Sequence, residues 1–214
     1  MPDSPTSVHE HPPHYGLDIE TDTTVDGLDP ALAAVVAVAV ATPGRDVVLL
    51  GDEADLLRRL EELLRDLEPG VLVTWNGAGF DLPFLAERAA RHRVELGLRL
   101  FVPEGDQPSR CYTATWGAHA HLDGYRLYRG DVGRRLGFSC GLKAMARLVG
   151  VAPVEVDRCR IHDLDESDLA SYVASDARLA RDLVARRLPA AWAFVDRPTG
   201  QRAPARGLLE PASG

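Results

Sequence analysis

Cysteine is scarce in this chain. Cys111, Cys140 and Cys159 are odd in number, widely spaced and form no CxxC pair, which argues against a disulfide framework or a cysteine zinc site and fits a reducing cytosol. Long hydrophobic runs are also missing. The longest, Ala31 to Ala41, falls well below the roughly 20 residues that span a bilayer, and the N-terminus has neither the basic nor the apolar region of a signal peptide. A cytoplasmic protein without a membrane role is the expectation. An excess of positive charge is absent as well: 24 Lys and Arg against 32 Asp and Glu leave −8, which speaks against broad, charge-driven binding of polyanions.

What is there is uneven. Leu122 to Arg160 holds eight basic residues against four acidic, so this stretch carries +4 and the remainder −12. Arg126, Arg129, Arg134 and Arg135 either meet phosphates or form a solvated basic face. Hydrophobic residues at 45% and charged residues at 26% of 214 residues are ordinary for a globular chain, long enough for one α/β domain. Pro2, Pro5, Pro12 and Pro13 and little apolar content mark residues 1–13 as a flexible tail, and residues 196–214 read the same way, leaving a folded domain over 14–195. His9, His11 and His14 fall in or beside the first tail, where alternate histidines are more often solvated than metal-bound.

Within the domain, Tyr15–Ile19, Ala31–Ala41 and Asp46–Leu50 read as strands with connections too short for helices, hence an antiparallel meander. Leu56, Leu57, Leu60, Leu63, Leu64 and Leu67 then mark one helix face, with Asp52 to cap its start and Pro69-Gly70 to stop it. That helix permits a parallel crossover to a strand at Val71–Trp75. Further helices are expected over Pro83–His92, Leu142–Leu148 and Glu166–Leu188, and a strand over Tyr125–Tyr128. The fold class is therefore α/β: a mixed sheet of an antiparallel meander plus parallel strands, flanked by helices.

Three acidic features stand out. Asp18 and Glu20 lie two apart at the end of the first strand, so the pleat points both to one side, opposite Leu17 and Ile19; an edge strand with a solvated acidic face is the bland alternative. Asp81 closes Trp75-Asn76-Gly77-Ala78-Gly79-Phe80-Asp81, between a buried strand and a helix, where an N-cap is its ordinary role. Tyr172 and Asp176 are four apart in the last helix. Asp176 falls in the apolar stripe of Leu169, Val173, Ala180, Leu183 and Val184, so a cation or a basic partner must compensate it, or the stripe turns partly to solvent.

Leu17-Asp18-Ile19-Glu20-Thr21, Asn76-Gly77-Ala78-Gly79-Phe80-Asp81 and Tyr172-Val173-Ala174-Ser175-Asp176-Ala177, in that order, resemble the three motifs of the DEDD superfamily of 3′-5′ exonucleases. The branch is the one with tyrosine in the third motif (DEDDy), since Ser171 stands where the other branch has histidine. The wording is closest to the proofreading exonuclease domain of family B DNA polymerases, over roughly Tyr15 to Leu188, including the less specific His121-Leu122-Asp123 and Gly141-Leu142-Lys143-Ala144. The resemblance implies a ribonuclease H-like fold and a two-metal-ion hydrolysis with Mg²⁺ or Mn²⁺, which prefer oxygen ligands. By motif position Asp18 would bridge both ions, Glu20 and Asp176 would bind the ion that activates water, and Asp81 would help hold the other. Tyr172 would orient the water, and Thr21, Asn76 and Phe80 would lie near the terminal nucleotide. The implied substrate is a single-stranded nucleic-acid 3′ end, DNA ahead of RNA, and the implied partner a separate polymerase or repair complex. A ribonuclease D-like exoribonuclease and an inactive module that binds nucleic-acid ends are the alternatives.

Overall fold

A computed structural model describes residues 12–102 and 112–196. The first eleven residues, those from 197 onward and Cys111 lie outside the described residues, and with them His9, His11 and nearly all of both expected tails.

The sheet is built from β1 (His14–Thr21), β2 (Val35–Ala41), β3 (Asp46–Leu50), β4 (Val71–Thr74), β5 (Leu98–Phe101), β6 (Thr113–Trp116), β7 (His119–Asp123) and β8 (Val195–Asp196). Its order is β3-β2-β1-β4-β7-β6-β5, with β8 paired to β7. The meander β1-β2-β3 is antiparallel as expected. After it, α1 (Glu53–Asp66) carries the chain across so that β4 lies parallel to β1, and α2 (Asp81–His92) leads towards β5. Asp52 caps α1 by accepting from the Asp55 N–H at 3.0 Å, and Leu56, Leu57, Leu60 and Leu64 are the buried face that the leucine spacing marked.

The second half adds α3 (Gly124–Tyr128), a π turn, α4 (Arg134–Leu136), α5 (Leu142–Leu148), a 3₁₀ turn over Arg158–Asp163, α6 (Glu166–Ala185) and α7 (Leu188–Ala191). Residues 125–128, expected as a strand, are helical. The reason is Asp123, whose carboxylate accepts from the Tyr125 and Arg126 N–H groups at 3.0 and 3.3 Å and starts a helix there. The strand instead precedes it, as β7. The second strand begins at Val35 rather than Ala31, because residues 29–33 close a turn in which Ala33 N–H bonds Asp29 O at 2.9 Å. Asp196, expected to open the tail, pairs with His121 in β8 and accepts from the Ala114 N–H at 3.0 Å.

The two faces of β1 do different things. Tyr15, Leu17 and Ile19 join α1 and α2 in one apolar core. The other face carries Gly16, Asp18 and Glu20, which register opposite Ala41, Ala39 and Ala37 of β2. These small residues let α6 lie close to the sheet. A Cβ on Gly16 would stand 1.9 Å from the Ala177 carbonyl oxygen, so only glycine admits this approach. A buried cluster of Ala37, Ala39, Ala41, Leu169, Tyr172, Val173 and Ala177 seals the contact. The third motif is thereby laid over the first.

Candidate active site

Three segments distant in sequence converge on one cleft of about 900 Å³. Asp18, Glu20 and Thr21 reach it from the end of β1, Asn76, Phe80 and Asp81 from the turn into α2, and Asp176 from α6. All seven line it. Tyr172 lies one turn before Asp176, 1% exposed. The Lys143 ammonium sits over its ring at 4.6 Å, and the Arg158 guanidinium donates a hydrogen bond to its hydroxyl.

Each acid is placed by its backbone. Asp18 and Glu20 share a strand face. Asp81 is the first residue of α2, after Phe80, and no side chain caps that helix, so the ordinary N-cap role for Asp81 is not what holds it. Its turn is set by Asp123, which accepts from the Asn76 N–H at 3.0 Å and the Ala78 N–H at 3.1 Å. Asn76 has a φ of +67°, a left-handed conformation that asparagine tolerates better than most residues. Phe80 packs on Phe84 at 5.4 Å between ring centroids, and the Thr21 hydroxyl donates to Gly27 O at 2.7 Å.

Crowded buried carboxylates resist ionisation. Burial, then Asp81 and Glu20, push Asp18 well above the usual carboxylate range, against Lys143 and Arg158. Burial pushes Glu20 up to about 7 and Asp81 likewise to about 7, the latter also repelled by Asp123. Burial brings Lys143 down to about 8 although Asp18 favours its charge. Tyr172 is raised by burial and by Glu20.

The charge of Asp176, 2% exposed, is met by an ion pair with Lys143, which answers the demand for compensation raised by its place in the apolar stripe. Lys143 and Arg158 are the site neighbours that motif reading passed over. Lys143 belongs to the Gly141–Ala144 stretch noted above, but only its closeness to Asp176 in space gives it a role. Of the four arginines expected as phosphate contacts, none is among the described residues lining the cleft. Arg126 is held instead by Tyr112 O and by Asp196, and Arg129 by the Tyr125 ring.

Among the described residues no three Asp, Glu, His or Cys side chains stand arranged to hold a metal ion. The chemistry of the cleft nevertheless fits one. Asp18 Oδ2 is the single buried side-chain polar atom without a hydrogen-bond partner among the described residues. The donors lining the cleft are oxygens, suited to hard divalent cations, and a cation would relieve the repulsion that raises the three carboxyls.

By class, a mixed sheet with this order and its flanking helices is the ribonuclease H-like fold. A solved family B DNA polymerase from the hyperthermophilic archaeon Pyrobaculum calidifontis matches it with a TM-score of 0.64 at 20% identity, over 84% of this chain and 25% of that one. In sequence, residues 33–133 match the family model of the DNA polymerase family B exonuclease domain, a segment that contains the second motif. A catalytic polypeptide of DNA polymerase epsilon from Arabidopsis thaliana is 34% identical over 134 residues, 59% of this chain and 6% of that protein. Its counterpart in the DNA polymerase epsilon of Saccharomyces cerevisiae is 36% identical over 111 residues, 50% of this chain and 5% of that protein. The chain thus resembles the exonuclease domain of family B DNA polymerases, and it spans only 5–6% of the length of these curated relatives.

No helix among the described residues is long and apolar enough to cross a membrane.

Proposed function

We propose that this chain is a metal-dependent 3′-5′ exonuclease that hydrolyses the terminal phosphodiester of single-stranded nucleic acid, preferring DNA, and releases 5′-mononucleotides. The observation that carries the reading is the convergence of Asp18, Glu20, Asp81 and Asp176 on one cleft beside Tyr172, with the charged forms of three of the acids disfavoured by burial and by one another. Such a cluster is costly in a fold that makes no use of it.

Two divalent ions, Mg²⁺ or Mn²⁺, are the cofactor of this proposal, and when bound they supply an activated water and stabilise the charge of an in-line displacement. Asp18 would be shared between them, Glu20 and Asp176 would hold one, and Asp81 would help hold the other. Tyr172, protonated because burial and Glu20 keep its phenol from ionising, donates a hydrogen bond to the attacking water. The water oxygen bonds to phosphorus as the bond from phosphorus to O3′ of the preceding nucleotide breaks, and O3′ takes up a proton. Phe80 and the Asn76 amide contact the terminal base or sugar from one wall of the cleft, and Thr21 from the other.

The resemblance to polymerase exonuclease domains supports a separate polymerase or repair complex as partner. The free thiols of Cys140 and Cys159 agree with a reducing, cytoplasmic setting. The test of the reading is the incubation of 5′-labelled single-stranded DNA and RNA with the protein and with Asp18→Ala, in Mg²⁺, Mn²⁺ or EDTA. A ladder shortening from the 3′ end, metal-dependent, stronger on DNA and absent in the variant, is expected. A stronger ladder on RNA would move the substrate to the ribonuclease D-like type. Binding of ends without shortening in any wild-type lane would leave an inactive binding module.

A further inference from the structure

The wall of the cleft is almost all of one sign. Asp18, Glu20, Asp26, Asp81 and Asp176 line it, and Arg158 is the one basic side chain among the described residues that do. An anionic phosphodiester entering such a cleft is repelled by every ionised carboxylate. Lys143 is already committed, to the Asp176 carboxylate and to the face of the Tyr172 ring.

Arg158 is differently placed. It opens the 3₁₀ turn over Arg158–Asp163, whose Asp157 cap accepts from the Cys159 N–H at 3.0 Å. A hydrogen bond of 2.8 Å between the Thr23 hydroxyl and His162 Nδ1 fixes the turn to the loop after β1. The backbone is therefore anchored across the cleft mouth, while Arg158 itself is exposed and able to meet a ligand. Its guanidinium donates to the Tyr172 hydroxyl and lies within the field of Asp18 and Glu20. A guanidinium has five N–H donors in a planar fork, so the bond to Tyr172 leaves others for a second acceptor.

Building on the exonuclease reading, we propose that Arg158 binds the terminal phosphodiester through a non-bridging oxygen and at the same time positions Tyr172. By donating to the phenol oxygen it makes that oxygen an acceptor on one side, which leaves the phenolic hydrogen for the attacking water. The same side chain thus sets the distance between phosphate and water from one rigid plane. It also gives the acidic cleft its point of attraction for the substrate. A lysine in its place keeps the charge but not the fork, and this separates the two roles.

The experiment compares the wild-type protein with Arg158→Ala and Arg158→Lys. For each we would measure kcat and KM on a 5′-labelled single-stranded oligodeoxynucleotide with Mg²⁺, and the Kd for a fluorescein-labelled copy with Ca²⁺ in place of Mg²⁺. Thermal melts confirm that all three fold alike. Arg158→Ala is expected to lower kcat about 100-fold, the size of effect seen when one pre-set donor is lost, and to weaken binding about 10-fold. Arg158→Lys is expected to recover the binding to within about 3-fold while kcat stays low, because a point charge cannot hold both the phosphate and the phenol. Values of kcat and Kd within twofold of wild type in Arg158→Ala overturn the proposal, and so does full recovery of kcat by lysine. If the wild type turns over and Arg158→Ala equals it, the inference on Arg158 fails and the exonuclease reading stands. A wild type that binds the strand without cleaving it sinks the exonuclease reading, and the affinity of Arg158→Ala still decides whether Arg158 holds phosphate.

Discussion

Replacing Glu20 by glutamine should stabilise the metal-free protein at alkaline pH, although it removes a residue from the proposed site. Glu20 is 9% exposed, and its carboxyl is pushed from 4.5 up to about 7, first by burial and then by Asp81, against the pull of Arg158 and Lys143. A carboxyl whose pKa rises on folding adds stability below its unfolded pKa, and that contribution is lost as pH climbs through the folded value. At pH 8 the folded chain therefore carries the whole cost of the ionised group, about 3 kcal/mol at roughly 1.4 kcal/mol per unit. Below about pH 4.5 the cost is absent. Glu20→Gln has nearly the same shape and no charge, so in EDTA at pH 8 its melting temperature should rise by roughly 6–12 °C, taking about 2–4 °C per kcal/mol for a domain of this size. The gain should shrink steadily on titration to pH 5. With Mn²⁺ at pH 8 the order should reverse, because an ion that binds the folded state stabilises the wild type by mass action and the variant holds it less well. Scanning calorimetry at pH 5, 6.5 and 8, with and without Mn²⁺, reads all of this. A variant less stable than wild type in EDTA at pH 8, or one whose shift is the same at every pH, would refute the electrostatic argument.

Two further changes probe how the site is assembled. Gly16→Ala places a Cβ against the Ala177 carbonyl; it should cost about 1–3 kcal/mol or more by overpacking and lower hydrolysis by lifting Tyr172 and Asp176 off β1, both read by urea unfolding beside a nuclease assay. Asp123→Ala removes the acceptor for the Asn76, Ala78, Tyr125 and Arg126 N–H groups. It should destabilise by about 2 kcal/mol as a lost cap, and it should lower kcat more than it raises KM, because the turn that carries Asp81 loses its anchor.

Local chemistry explains which parts could be read ahead of the structure. The leucine spacing of α1 and its Asp52 cap, the apolar runs of β2 and β3, and the alternation of Leu17, Asp18, Ile19 and Glu20 are short-range patterns, and each appears as expected. The parallel placement of β4 followed from the helix before it. Strands β5, β6 and β7 were not anticipated. Their Leu-Arg-Leu-Phe, Thr-Ala-Thr-Trp and His-Ala-His-Leu-Asp segments are short, and polar residues such as His119 and His121 become core residues only through distant partners. His119 bonds to the Leu64 carbonyl at 2.7 Å, and His121 to the Thr74 hydroxyl at 2.9 Å. Tyr125–Tyr128 read as a strand because aromatic residues favour sheets, and one upstream carboxylate overrode that preference.

The candidate site divides in the same way. Its acids were legible because each sits in a local motif, whereas the cations that face them come from other parts of the chain. Lys143 is 33 residues from Asp176, and nothing in its own segment announces the partner. Arg158 was hidden inside a generally basic stretch. Folding sorts that stretch, with Arg126 turned to Asp196 and Arg158 to the cleft.

The measurement that tests the central claim most directly is the identity of the product. An unlabelled single-stranded oligodeoxynucleotide, incubated with the protein and Mg²⁺ or Mn²⁺ and followed by mass spectrometry, should lose one residue at a time from its 3′ end and yield 5′-mononucleotides, with no loss in EDTA or with Asp18→Ala. Internal fragments, shortening from the 5′ end, or equal activity in the Asp18→Ala protein would contradict the account.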